Sequence, residues 1–165
     1  MVTDMYSLFA STFDPSASTR QSAESRLKEA SLSASFAPNL LQLIISSEGE
    51  KTVKQAAAVF FKNWVENYWI ASEGEGEKLE VEQRDKQMIR DNLIKAIGAV
   101  GSFKSVRAQL LASLCTIIRA DVPQRFPNIH DQIASLIQSS QSMVDMETAL
   151  LVFHQLVNWR GYGPD

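Results

Sequence analysis

Apolar residues recur at helical spacing through nearly all 165 residues, and proline or glycine interrupts them at intervals. This rhythm constrains the fold more than any single motif, because no alternating strand pattern competes with it. Met5, Leu8, Phe9 and Phe13 form a first short stripe, with Asp4 as a candidate N-cap. Asp14-Pro15 breaks it. Ser16 to Ser33 follows with a thin stripe of Ala23, Leu27 and Ala30. Pro38 sits where a helix tolerates proline, ahead of Leu40, Leu41, Ile44 and Ile45. Gly49 reads as that helix's stop.

Thr52 to Trp69 is the strongest segment. Val53, Ala56, Ala57, Phe60, Trp64 and Tyr68 read as its buried face, Phe61 and Trp69 as the edge of that face, and Gln55, Lys62 and Glu66 as the polar side. The acidic stretch Ala71 to Glu82 carries two glycines and reads as a solvated loop. Gln83 to Val100 returns to helix, with Met88, Ile89, Leu93, Ile94 and Ile97 inward. Lys104 to Ala120, Pro127 to Gln138 and Asp145 to Trp159 complete the series.

Eight helices thus fall into four pairs, near residues 4–33, 36–69, 84–120 and 127–159. The pairs begin about 32, 48 and 43 residues apart, close to the ~40–47 of HEAT and armadillo units. A closed four-helix bundle would use half as many, longer helices. The expected fold is therefore all-α, a right-handed HEAT-type (armadillo-like) solenoid of about four antiparallel helix pairs. The stretch RADVPQRFPNI (Arg119 to Ile129) then reads as a corner between pairs three and four. Pro123 and Pro127 lack N–H groups and preset the turn, and Phe126 folds back as a wedge.

Composition narrows the function. Charged residues make up 21% and net charge is −3, so no basic footprint for nucleic acid is present. No run is apolar enough to insert in a membrane. The N-terminus lacks the basic region of a signal peptide. The lone Cys115 excludes an intrachain disulfide and reads as a structural cysteine. His130 and His154 lie on different helices and make no metal set. GEGEK (Gly74 to Lys78) lacks the end of a phosphate-binding loop, and GAVGSFKS (Gly98 to Ser105) follows no strand. No catalytic, cofactor or metal residues are expected, and a binding protein is favoured over an enzyme. Extended faces of helical repeats bind other proteins.

VKQAAAVFFKNWVENYW, then a charged loop and IRDNLIKAI, resembles the importin-beta N-terminal domain. VRAQLLASLCTIIRADVPQRFPNI extends the resemblance through Asp121, Pro123, Arg125, Phe126 and Pro127. Phe126 stands where Trp is usual. SAESRLKEAS fits an early helix through Ala23, Glu24 and Leu27, and LLVFHQLVNWR resembles a closing fourth-repeat helix. Within the superfamily the chain looks most like the importin seven/eight type, with the exportin that recycles importin-alpha close behind.

The resemblance implies a nuclear transport receptor that shuttles between cytoplasm and nucleus. It also implies that this chain is the N-terminal fragment of a much longer solenoid. The partner implied is the small GTPase Ran in its GTP form, with protein cargo and nucleoporins held by the rest of the receptor. Ran contacts would fall on the second helix of each pair, and on Thr52–Trp69 the implied residues are Gln55, Lys62, Glu66 and, at the edge, Asn63. Lys62 suits an acidic or carbonyl partner and Glu66 a basic one. A generic HEAT scaffold without Ran selectivity is the alternative, and a membrane-adaptor helical domain would need a basic patch that is missing here. A stack cut after four pairs exposes an apolar edge, and Leu150, Phe153 and Val157 are expected there, with self-association as the consequence.

Overall fold

The computed structural model describes residues 2–70 and 81–160, which form eight α-helices and no strand. They are α1 (Val2–Ser11), α2 (Ala17–Ala30), α3 (Phe36–Ile45), α4 (Lys51–Tyr68), α5 (Gln83–Ala99), α6 (Lys104–Asp121), α7 (Ile129–Gln138) and α8 (Met143–Arg160). Most of the loop expected at Ala71–Glu82 lies outside the described residues. Asp4 falls in the first turn of α1 and not at its cap. Pro127 precedes α7 by two residues, so it presets the approach to that helix and not its first turn.

Each helix packs against its successor within a pair, and pairs stack through like-numbered helices. In one layer α1 packs on α3, α3 on α5 and α5 on α7. In the other α4 packs on α6 and α6 on α8, while α2 rests mainly on α1. One apolar core runs the length of the stack, from Phe9 through Leu40, Phe61, Ile94, Leu114 and Phe126 to Val152. That is the two-layer solenoid anticipated from the spacing of breaks.

The buried face of α4 is rotated from the one read in the sequence. Val53, Ala57 and Trp64 are buried as anticipated, but so are Ala58, Phe61, Val65 and Trp69, while Phe60 and Tyr68 are only half-buried. The reason is that α4 is flanked by α1, α3 and α6 at once. A helix pressed on two sides needs a wider apolar arc than a single amphipathic stripe. Similarly, Met88 is exposed, and Arg90 is buried beside Ile89.

Buried polar contacts lock the pairs together. Asp121, at the end of α6, accepts a hydrogen bond from Arg90 Nη1 at 2.8 Å and another from Trp69 Nε1 at 3.0 Å, both through Oδ2. One carboxylate thus joins α4, α5 and α6. Its backbone carbonyl accepts from the N–H groups of Arg125 and Phe126, which shapes the proline corner. Phe126 is buried there, as the wedge reading requires. Farther along, the buried Arg107 of α6 donates to Gly101 O and Thr148 Oγ1, both at 3.0 Å, and pairs with Glu147 at 3.3 Å, tying α6 to α8.

Candidate functional site

The even-numbered layer carries the polar residues singled out on α4. Gln55, Lys62 and Glu66 follow one another at steps of seven and four, so they share one side of the helix. Lys62 Nζ lies 3.7 Å from Glu66 Oε2, with side chains 27% and 47% exposed. An exposed i,i+4 pair with the lysine first contributes at most a few tenths of a kcal/mol. Both charges are therefore open to an incoming partner at little cost.

Gln55 and Asn63 belong to a different setting from that ion pair. They line an open groove of about 670 Å³ between α2 and α4, closed at one end by the start of α6. Phe9, Phe13, Leu27, Val59, Phe60 and Phe103 supply its apolar walls, with Glu24 and Lys51 also in the lining. The groove exists because α2 leans on α1 and does not pack closely along α4. Phe60 forms its floor, held edge-on to Phe9 at 5.6 Å and tilted against Phe36 at 5.7 Å. The Gln55 Oε1 atom is buried and has no hydrogen-bond partner. Such an acceptor is costly to leave unpaired, and it sits beneath the groove surface, out of reach of a docked partner.

The sequence reading missed the groove's apolar side, although one signal was present. Val59 lies among Gln55, Lys62 and Asn63, where a solvated helix face would carry a polar residue, and it is exposed. Phe13, just after α1, is likewise exposed. Aromatic and branched side chains beside a few placed polar groups are the chemistry of a protein-docking surface.

Elsewhere the chemistry is sparse. Among the described residues no three His, Cys, Asp or Glu side chains converge as a metal set would. No described helix is long and apolar enough to cross a membrane. His130 and His154 are exposed, and Cys115 is half-buried. The titration of Asp145 is perturbed. Asp145 is held below its ordinary pKa, first by its hydrogen bond with Ser142 and then by the Gln141 N–H, which donates to Oδ2 at 3.1 Å. This closes the start of α8.

Comparison with known proteins places this geometry. Residues 23–99 match the importin-beta N-terminal domain. Human Importin-8 is 37% identical over 155 residues, covering 92% of this chain and 14% of Importin-8. Importin-8 of Danio rerio is 37% identical over 150 residues, covering 88% of this chain and 14% of that protein. Exportin-2 of Xenopus laevis is 27% identical over 128 residues, covering 78% of this chain and 13% of that protein. The solved structure of the exportin Cse1 in its cargo-free, cytoplasmic state superposes with a TM-score of 0.83 at 22% identity, over 99% of this chain and 17% of that one. The helix-pair solenoid is thus a fold this chain shares with a transport receptor. The chain spans about one seventh of the length of these relatives.

Proposed function

The chain belongs to the importin-beta superfamily, and on that premise we propose that it supplies the Ran-GTP-binding end of a nuclear transport receptor. Cargo and nucleoporins would be handled by the remainder of such a receptor, which would shuttle between cytoplasm and nucleus. The observation that carries the reading is the even-helix face of α4. There Lys62 and Glu66 offer opposite charges in a weak mutual pair, beside a groove edged by Gln55 and Asn63.

A GTPase in its GTP state presents switch segments ordered by the nucleotide. Reading that order calls for a rigid surface with fixed polar groups, because only contacts that differ between the two states give selectivity. The α4 helix is anchored along its length by α1, α3 and α6. Its Lys62 suits a carbonyl or carboxylate of the switch and Glu66 an arginine or lysine, with the half-buried Gln55 on the same side of the helix.

The test is binding of the chain to Ran loaded with a GTP analogue or with GDP, beside Gln55→Ala, Lys62→Ala, Asn63→Ala and Glu66→Ala. GTP-selective binding weakened severalfold by these variants is the expected result. Selective binding indifferent to all four would keep the receptor reading and remove these residues from it. Equal binding to both nucleotide states, or none, would favour a general helical-repeat scaffold.

A further inference from the structure

The turn between α3 and α4 presents a serine whose hydroxyl the fold leaves unused. This turn belongs to the second helix pair, so further pairs lie on both sides of it. Ser47, Glu48, Gly49 and Glu50 are all exposed. The backbone is extended at Ser46 and Glu50, with ψ of 147° and 143°, and Gly49 takes φ +98°. Neighbouring contacts hold the turn in place. Ser46 Oγ donates to Glu48 O at 2.8 Å, Lys54 Nζ donates to Ser46 O, and the Glu50 N–H donates to Tyr6 Oη at 3.0 Å. Ser47 Oγ itself makes no hydrogen bond to any described residue. Carboxylates follow it at the first and third positions, Glu48 and Glu50. Kinases choose substrates partly by such charge patterns, and an acidic flank suits a basic substrate cleft. Among the described residues, Ser11 and Ser142 also have an acid three positions on, Asp14 and Asp145. Both hydroxyls are engaged. Ser11 Oγ donates to Ser7 O at 2.8 Å at the end of α1, and Ser142 Oγ accepts from the Asp145 N–H at 3.1 Å at the start of α8. Of the three, Ser47 is the one a kinase could take without first unwinding a helix end.

We infer that Ser47 is a phosphorylation site for a serine kinase selective for acidic substrates, and that Lys54 holds the phosphate once it is made. In the reaction Ser47 Oγ attacks the γ-phosphorus of a nucleoside triphosphate. The Oγ–P bond forms as the bond from that phosphorus to the bridging oxygen breaks. The nucleoside diphosphate leaves with the electron pair, and the hydroxyl proton passes to a carboxylate of the kinase. The product carries a charge of about −1.5 to −2 near neutral pH. Glu48 and Glu50 repel that charge, so a cation must offset them. Lys54 Nζ already lies on the carbonyl of Ser46, the residue before the modified serine, and Lys51 precedes it by three on α4. A lysine that gives up a neutral carbonyl for a phosphate oxygen gains a charge-assisted hydrogen bond. This inference does not depend on which protein the α4 face binds.

The four residues Ser-Glu-Gly-Glu of 47–50 recur at 72–75, so the test uses the whole chain with Ser72→Ala. An acidophilic serine kinase with ATP is given that chain beside a synthetic peptide spanning Ser47, which serves as the reference substrate. The chain should take up one phosphate, assigned to Ser47 by peptide mass spectrometry, at a rate within about threefold of the peptide's, since the turn needs no unfolding. Glu50→Gln should slow the reaction roughly tenfold, the worth of one charge-assisted contact to the kinase. Phosphorylation should leave the urea midpoint of the chain unchanged or higher, and should lower it in Lys54→Ala. A chain that stays unmodified by a kinase that modifies the peptide would overturn the inference. Phosphate on Ser11 or Ser142 in place of Ser47, or a rate indifferent to Glu50→Gln, would also overturn it. A midpoint that falls on phosphorylation with Lys54 present would overturn the role given to that lysine.

Discussion

Asp121→Ala should be among the most damaging single changes in this chain. The carboxylate is almost fully buried, as is Arg90, and their contact is 2.8 Å. The same oxygen also accepts from Trp69 Nε1. Removing it leaves a buried guanidinium without its counter-charge, held only by Gln87 Oε1, and a buried indole N–H without an acceptor. Breaking one side of a buried ion pair costs about 3–5 kcal/mol, and an unpaired indole N–H adds roughly 1 kcal/mol more. Against a total stability of about 5–15 kcal/mol for such a chain, that approaches global unfolding. Urea denaturation followed by far-ultraviolet circular dichroism measures it directly. Part of the cost should be recovered by Arg90→Met in the Asp121→Ala background, since the stranded charge is then gone. The non-additivity should be about 1–3 kcal/mol. A loss below about 1 kcal/mol for Asp121→Ala, or strict additivity of the two changes, would refute the view that this carboxylate binds α4, α5 and α6 together.

Other perturbations probe separate parts of the stack. Phe126→Ala should open a cavity at the proline corner and cost about 3–5 kcal/mol, read as a lowered urea midpoint, while leaving the Lys62–Glu66 face chemically unchanged. Gly49→Ala should cost about 1–2 kcal/mol. Its φ is +98°, and the added carbon would lie 2.6 Å from a ring carbon of Tyr6, whose hydroxyl oxygen accepts from the Glu50 N–H. The Asp145 carboxyl is depressed below 3.8, so the closure it makes at the start of α8 is complete above that pH and lost as pH falls through the lower folded value. Protection of the Gln141 amide, its exchange rate measured against the intrinsic rate at the same pH, should fall in acid and hold steady near neutrality.

Much of the architecture was legible before any coordinates. The breaks at Asp14-Pro15, Gly49 and the Pro123–Pro127 corner partition the chain, because proline and glycine act on the local backbone whatever surrounds them. The resemblance carried by VKQAAAVFFKNWVENYW and the Asp121–Pro127 corner pointed to the right family for the same reason, since the residues are contiguous. The exposed apolar flank of α8 at Leu150, Phe153 and Val157 was also visible, as helical spacing on a helix already assigned.

Side-chain environments were not legible, because neighbouring helices set them. Phe61 and Trp69 looked marginal on a single-stripe view of α4, yet they are core because α4 is enclosed on more than one side. Phe60 looked like core, yet it floors a groove because α2 stands away from α4. Nothing local to Arg90 marks it as buried, because its partner Asp121 lies 31 residues away. Local backbone preferences act over a few residues and can be read along the chain. Which face of each helix is buried, which charge is paired and where a groove stays open depend on how helices far apart in sequence come together, and only the tertiary structure decided those.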